Sequence, residues 1–165
     1  MKNYSVETQC VQAGYEPKSG EPRVAPIVQS TTYKYDDADQ VAALFDLSAV
    51  GHMYSRISNP TVEVLEKKLA VLEGGVGALG VASGQSANFF AIFTLCSAGD
   101  NFICLSNLYG GTHTLFTSTL KRMGIEATIL PCTIEPKEIA KHVNSKTKLL
   151  FAETLGNPGV EVLDI

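Results

Sequence analysis

Apolar positions along this chain fall into two regimes, and the change comes near residue 59. Residues 1–58 show no sustained period, and Gly14, Pro17, Gly20, Pro22, Pro26 and Gly51 interrupt every run. That segment reads as an extended N-terminal arm with one short helix over 37–45. It is too irregular to build its own core and is expected to lie on this domain or on a partner subunit. From residue 59 the pattern is regular. Asn59 suits a helix cap and Pro60 the first helical position, while Val62, Leu65, Leu69 and Leu72 make an apolar stripe closed by Gly74 and Gly75. Strands and helices then alternate, with strands expected over 78–82, 102–105, 127–130 and 149–152 and helices over 85–97, 112–123 and 136–143. The strands are short and apolar on both faces, as in a parallel sheet covered by helices. The expected fold class is α/β: a doubly wound, mostly parallel sheet over 59–165 behind an arm over 1–58. Val162-Leu163-Asp164-Ile165 reads as the entry to a further helix, so the sheet domain is expected to be incomplete.

Composition narrows the classes. The 165 residues are 45% hydrophobic and 18% charged, with a net charge of −4, enough for one globular core and too apolar for a disordered chain. The lysines are scattered and form no stripe interleaved with aromatics, so no nucleic-acid partner is expected. Lys67 and Lys68 share a helix with Glu63, Glu66 and Glu73, an ordinary solvated face. No run approaches the ~18 apolar residues of a membrane span, and the polar start Met1-Lys2-Asn3-Tyr4 lacks the apolar region of a secretory signal. A cytoplasmic location follows as the expectation. Cys10, Cys96, Cys104 and Cys132 show no paired spacing and read as reduced thiols. His52, His113 and His142 lie too far apart for a helical ligand pair, and no metal site is expected.

Gly75-Val76-Gly77-Ala78-Leu79-Gly80 spells the dinucleotide pattern GxGxxG but fails its context. The fingerprint follows a strand and opens a helix; here the glycines follow a helix, and tight packing at a corner is the better reading.

Four other segments carry candidate chemistry. Val81-Ala82-Ser83-Gly84-Gln85-Ser86-Ala87 breaks at Ser-Gly and opens into an apolar helix, which aims backbone N–H groups and the positive end of a helix dipole at one spot suited to phosphate. Ser83 can cap that helix or donate to the anion; Gly84 and Gln85 can offer N–H groups. Tyr54-Ser55-Arg56 supplies a hydroxyl and a guanidinium fork; in an extended segment both face one side and reach one phosphate. Tyr109, before Gly110-Gly111-Thr112, follows a strand at the carboxyl edge, where an aromatic ring either stacks on a flat ligand or packs on its own loop. Glu153-Thr154-Leu155-Gly156-Asn157-Pro158 follows the last strand at the same edge. Asn157, held extended before proline, can aim its amide at a ring oxygen, and Glu153 either braces a loop or meets a ligand.

The set YSRxxNPT, SGQxA, YGGT and ETxxNP, in this order and over nearly the whole chain, resembles the cysteine/methionine metabolism family of fold-type I pyridoxal-phosphate enzymes, and within it the O-acetylhomoserine sulfhydrylases. The resemblance implies pyridoxal 5′-phosphate as cofactor, with Gly84 and Gln85, joined by Ser83, at its phosphate. Tyr109 would be stacked on its ring and active in proton transfer or leaving-group departure, Asn157 placed at the 3′ oxygen, and Glu153 in support. It implies that Tyr54 and Arg56 serve the phosphate of a neighbouring identical subunit, in a homotetrameric transferase of methionine biosynthesis. The implied reaction is γ-replacement on a small amino-acid substrate, acetate giving way to sulfide or methanethiol to yield homocysteine or methionine. Gly111 stands where methionine γ-lyases resemble one another in carrying cysteine, which favours the sulfhydrylase branch.

One part of the family pattern is missing. The Schiff-base lysine, the aspartate at the pyridine nitrogen and the arginine for the substrate carboxylate belong further along such chains. Thr147-Lys148 matches the lysine context only as text, because it opens a strand at the amino edge. The expectation is an N-terminal portion of a sulfhydrylase that is inactive by itself. The alternatives are a methionine γ-lyase or cystathionine γ-synthase/β-lyase type enzyme, or a non-catalytic assembly module.

Overall fold

The computed structural model describes residues 4–165, which divide after Gly80 into two units. The first unit holds three helices: α1 (Val6–Gln12), α2 (Ala38–Phe45) and α3 (Pro60–Leu72). Helix α2 is the one expected in the arm, and Asp37 starts it by accepting the Gln40 N–H at 2.8 Å. Helix α3 starts at Asn59, whose Oδ1 accepts the N–H groups of Thr61 (2.9 Å) and Val62 (3.4 Å) around a Pro60 that has none to offer. Helix α1 was not expected from the arm's pattern. It has no buried residue and is held by the Lys68 ammonium on the carbonyls of Cys10 (2.9 Å) and Val11 (3.3 Å), a cation at a helix C-terminus. Polar grips also dominate α3, whose stripe residues Val62, Leu65 and Leu69 stay about half exposed.

Of the glycine run after α3, expected to pack tightly at a corner, only Gly80 does so; the run is exposed, and a Cβ on Gly77 would meet nothing within 4 Å. The Gly80 N–H donates to Glu66 at 2.7 Å, and a Cβ there would meet the Val62 side chain at 3.0 Å. The strand expected over 78–82 does not form. A short apolar run becomes a strand only where a neighbour takes its N–H and C=O groups, and no described strand pairs with these residues.

The second unit opens with α4 (Gly84–Leu95) and holds a three-stranded parallel sheet of β1 (Asn101–Leu105), β2 (Glu126–Leu130) and β3 (Thr147–Phe151), in the order β2-β1-β3. Its remaining helices are α5 (Gly110–Thr114), which continues as a π-helical turn over Leu115–Leu120, and α6 (Pro136–Ile139), which tightens to a 3₁₀ turn over Ala140–His142. Central β1 is buried on both faces, and its side chains alternate between two clusters. Phe102 and Cys104 join Ile92 and Cys96 of α4 with Phe116 and Leu120; Ile103 and Leu105 join Leu130, against Ile134 and Ile139. Helices thus cover both faces, the doubly wound arrangement. Phe116 meets Phe102 and Phe151 edge-on, each at 4.9 Å between centroids, and each fully buried phenylalanine contributes roughly 2 kcal/mol.

Three helices differ in detail from the sequence expectation, the first being α4, which ends at Leu95 where 97 was expected because Cys96 is already extended. The helix expected over 112–123 starts two residues earlier and widens at its centre, where the Thr117 hydroxyl donates to the His113 carbonyl at 2.8 Å and competes with the backbone ladder. The helix expected over 136–143 is only one α turn before it tightens. All four cysteines are free. Cys96 and Cys104 are buried, and burial pushes the Cys104 thiol up to about 11. No helix among the described residues is long and apolar enough to cross a membrane.

Candidate active site

The start of α4 has its donors only partly used. Ser83, in extended backbone conformation, accepts the Ser86 N–H on its hydroxyl at 3.1 Å and the Ala87 N–H on its carbonyl at 3.0 Å. The N–H groups of Gly84 and Gln85 have no acceptor among the described residues. A Cβ built on Gly84 meets nothing within 4 Å, so an anion has open access to that turn. The Gln85 side chain points elsewhere: its Nε2 donates to the Thr112 hydroxyl at 3.1 Å, and Asn88 Nδ2 donates to the same oxygen at 3.3 Å. Thr112 is 1% exposed, so this is a buried polar tie between the first turns of α4 and α5.

Tyr109 stands at the cap of α5, past the carboxyl end of β1, and is half exposed. Its N–H donates to both carboxylate oxygens of Glu153, each at 3.1 Å, and its carbonyl accepts the His113 N–H at 3.0 Å. Its ring lies across Gly111, where a Cβ would come within 2.7 Å of Tyr109 Cε1 and 3.4 Å of Gln85 Nε2. Glycine is therefore what lets this ring lie down beside the start of α4. The Glu153 carbonyl in turn accepts Asn107 Nδ2 at 2.8 Å. Ser106, next along from β1, accepts the Cys132 N–H at 3.1 Å, so loops from all three strands are stitched at the carboxyl edge. Lys148 sits near the opposite edge at the beginning of β3, 3.5 Å from Asp100.

Asn157 stands on the loop that follows β3. It lies in an exposed turn over 157–159 with a cis bond to Pro158, and a hairpin-like closure sets the turn: the Gly156 N–H bonds the Glu161 carbonyl at 2.8 Å and the Leu163 N–H bonds the Thr154 carbonyl at 2.9 Å. These cross-loop bonds set the path of the loop that carries Asn157.

Tyr54 and Arg56 belong to the first unit and are grouped there by a turn, not by an extended segment. The N–H groups of Ile57 and Ser58 bond the Tyr54 carbonyl at 2.8 and 3.0 Å, and the Arg56 guanidinium lies 5.3 Å from the Tyr54 ring centroid, a cation–π contact. Arg56 is exposed and has no carboxylate within ion-pair distance among the described residues. The neighbouring Asn59-Pro60-Thr61 has a structural task. Asn59 Nδ2 donates to the Val28 carbonyl at 3.0 Å, and the Thr61 hydroxyl accepts the Val28 N–H at 2.9 Å and donates to the Pro26 carbonyl at 3.1 Å.

The second unit therefore brings together Ser83, Gly84, Gln85, Tyr109 and Glu153, with Asn157 on an adjoining loop; Tyr54 and Arg56 form a separate cluster in the first. Sequence reasoning missed Asn107, Asn88 and the buried role of Thr112. Their only sequence signal was position: Asn107 lies just past β1, and Thr112 closes the Tyr-Gly-Gly-Thr run. Two hollows, of about 290 Å³ beside α2 and about 250 Å³ at the amino edge of the sheet, are lined by none of the candidate residues.

The profile of the family described as Cys/Met metabolism PLP-dependent enzyme matches residues 7–165. An O-acetyl-L-homoserine sulfhydrylase of Leptospira meyeri is 42% identical over 165 residues, covering 99% of this chain and 37% of its own length. O-acetyl-L-homoserine sulfhydrylase 1 of Thermus thermophilus is 45% identical over 160 residues, covering 96% of this chain and 38% of its own length. Among solved structures, an O-acetylhomoserine (thiol)-lyase of Campylobacter jejuni, which carries a pyridoxyl-lysine monophosphate, superposes with a TM-score of 0.90 at 40% identity over 98% of this chain and 40% of that one. The chain thus spans well under half the length of the relatives it matches.

Proposed function

The chain belongs to the Cys/Met metabolism PLP-dependent enzymes, and from that premise we propose that it is the N-terminal portion of an O-acetylhomoserine sulfhydrylase, a transferase that replaces acetate on the γ carbon with sulfide or methanethiol. The observation that carries the reading is the pair of unused N–H groups on Gly84 and Gln85, beside a tyrosine ring laid across Gly111. These residues fit pyridoxal 5′-phosphate: two free donors and a helix N-terminus suit its dianionic phosphate, and a half-exposed phenol suits the face of its ring. When bound, the cofactor supplies an electron sink for bonds broken at the substrate's α and β carbons.

The chain's own residues divide the remaining work. Gly84 and Gln85 hold the phosphate through their N–H groups, and Ser83 keeps the turn in shape while its hydroxyl stays within reach. Tyr109 covers the ring and carries a proton on its phenol oxygen for the leaving group. Asn157 offers its amide to the ring's 3′ oxygen. Glu153 supports Tyr109. Tyr54 and Arg56 extend a hydroxyl and a permanent positive charge to the phosphate held by an identical neighbouring subunit, in a homotetramer. The Schiff-base lysine comes from a part of the protein beyond these 165 residues. The free thiols support the cytoplasm, a reducing compartment, as its location.

Gly111 supports the sulfhydrylase over the γ-lyase branch, since the Tyr109 ring occupies the space that a cysteine side chain there would need. The test is a chimera in which residues 1–165 replace the matching part of the Thermus relative. Homocysteine formed from O-acetylhomoserine and sulfide is expected. A chimera that binds the cofactor, cleaves methionine or cystathionine and ignores O-acetylhomoserine overturns the reading.

A further inference from the structure

We propose that Glu153 and Asn107 are positioning residues that set the Tyr109 ring through its main chain, so that the ring is oriented before any ligand arrives. The inference rests on the proposed role of Tyr109 and adds to it how that role is enforced. Asn107 and Tyr109 stand two residues apart on the loop after β1, and Glu153 stands two residues after β3. Two hydrogen bonds cross between these loops in opposite senses. The Asn107 side chain donates to the Glu153 main chain at 2.8 Å, and the Glu153 side chain accepts from the Tyr109 main chain at 3.1 Å on each oxygen. The Glu153 bond supplies one half of a capping box from another loop: the carboxylate that a local box takes from the third helical residue comes here from beyond β3, while the Tyr109 side chain makes no cap bond of its own. The carboxylate has to come from there, because the third helical residue of α5 is Thr112, which is committed to Gln85 and Asn88.

Three properties give the bracket its strength. Its acceptor is a carboxylate at the start of a helix, so the bond to the Tyr109 N–H is charge-assisted and aligned with the helix dipole. Its far end is dry, since Asn107 is 6% exposed and its side chain has no alternative solvent partner to swing towards. The Tyr109 carbonyl is also fixed, by the His113 N–H at 3.0 Å. With the main chain held on both sides, the ring's remaining freedom is two side-chain torsions, and Gly111 provides the surface on which it rests. Glu153 therefore acts on the ring at second hand, and its carboxylate serves the protein's own N–H, not the cofactor.

The test uses amide and ring NMR of the 165-residue chain, with Glu153→Gln, Glu153→Ala and Asn107→Ala. Hydrogen exchange at the Tyr109 amide is expected to speed up at least tenfold in Glu153→Ala and in Asn107→Ala, and less in the isosteric Glu153→Gln, while Ile103 and Cys104 amides in β1 keep their protection. The Gly111 α-protons, shifted by the ring above them, are expected to relax toward unstructured values in the same order. On addition of pyridoxal 5′-phosphate, Glu153→Ala is expected to retain the response at the Gly84 and Gln85 amides and to lose it at the Tyr109 ring. Unchanged Tyr109 exchange and unchanged Gly111 shifts in Glu153→Ala, with β1 intact, overturn the bracket; if Glu153→Ala does not fold, the same result in Glu153→Gln together with Asn107→Ala does so. A wild-type chain whose Gly84, Gln85 and Tyr109 signals ignore the cofactor counts against the proposed function, whatever Glu153 does.

Discussion

Helices α3 and α4 both start from a side-chain cap, yet their first turns are left in different states. At α3, Pro60 has no N–H, Asn59 Oδ1 takes those of Thr61 and Val62, and the Asn59 carbonyl takes that of Glu63 at 2.8 Å. Every donor of that turn is spent. At α4, Ser83 takes only the N–H groups of Ser86 and Ala87, and those of Gly84 and Gln85 remain. The dipole is the same at both ends; the number of unused donors is not. A helix start is thus an anion site only if its cap leaves donors over. Asn59-Pro60-Thr61 closes one start and uses its spare groups to grip the 26–28 segment, whereas Ser83-Gly84-Gln85 leaves the other open.

Substitutions can break or sharpen this contrast. The largest effect is expected from Asn59→Ala, which strips two N–H groups of their acceptor and releases the Val28 carbonyl. The chain should lose about 2 kcal/mol in urea unfolding, with no change in phosphate response at Gly84 and Gln85. Gly84→Pro should do the reverse. Proline suits the first helical position after an extended Ser83, so the unfolding midpoint should hold, while loss of one N–H weakens phosphate-ester binding about tenfold in a fluorescence or NMR titration. Ser83→Ala should cost about 1 kcal/mol of stability and weaken anion binding less than Gly84→Pro, because the freed Ser86 N–H joins the unused donors as the Ser83 hydroxyl is lost.

The effect that is smallest at neutral pH is a control on the sheet. Burial holds the folded Cys104 thiol up to about 11 against an ordinary 9.0, so its protonated form favours the folded state. That contribution is complete below pH 9 and is lost as pH rises from 9 toward 11, because the unfolded chain releases this proton first. Melting temperature should therefore be insensitive to this thiol between pH 7 and 9 and decline above, and Cys104→Ser should flatten the decline. Alkylation at pH 8 should label exposed Cys10 well ahead of Cys104.

How much of this was legible in the sequence depends on how far each signal reaches along the chain. The cap at Asn59, the helix after Pro60, the Ser-Gly break and the three paired strands are written within a few residues, and all stand where the periodicity put them. Features made by distant partners were not. Helix α1 exists through Lys68, the Asn157 turn through bonds to Glu161 and Leu163, and the Tyr109 bracket through Asn107, none of which is a neighbour in sequence. The missing strand over 78–82 is the same lesson reversed: its residues have strand character, but a ladder needs a partner. Tyr54 and Arg56 lie side by side through a turn where a pleated segment was expected, because backbone bonds to the Tyr54 carbonyl are not visible in a residue pattern.

The central claim is that the start of α4, and not that of α3, receives the phosphate. Its most direct test is a ¹H–¹⁵N titration of the 165-residue chain with pyridoxal 5′-phosphate. The account predicts that the Gly84 and Gln85 amides move first and furthest, downfield and saturably, while those of Thr61 and Val62 stay still. Saturable shifts at Thr61 and Val62 with Gly84 and Gln85 unmoved would contradict it.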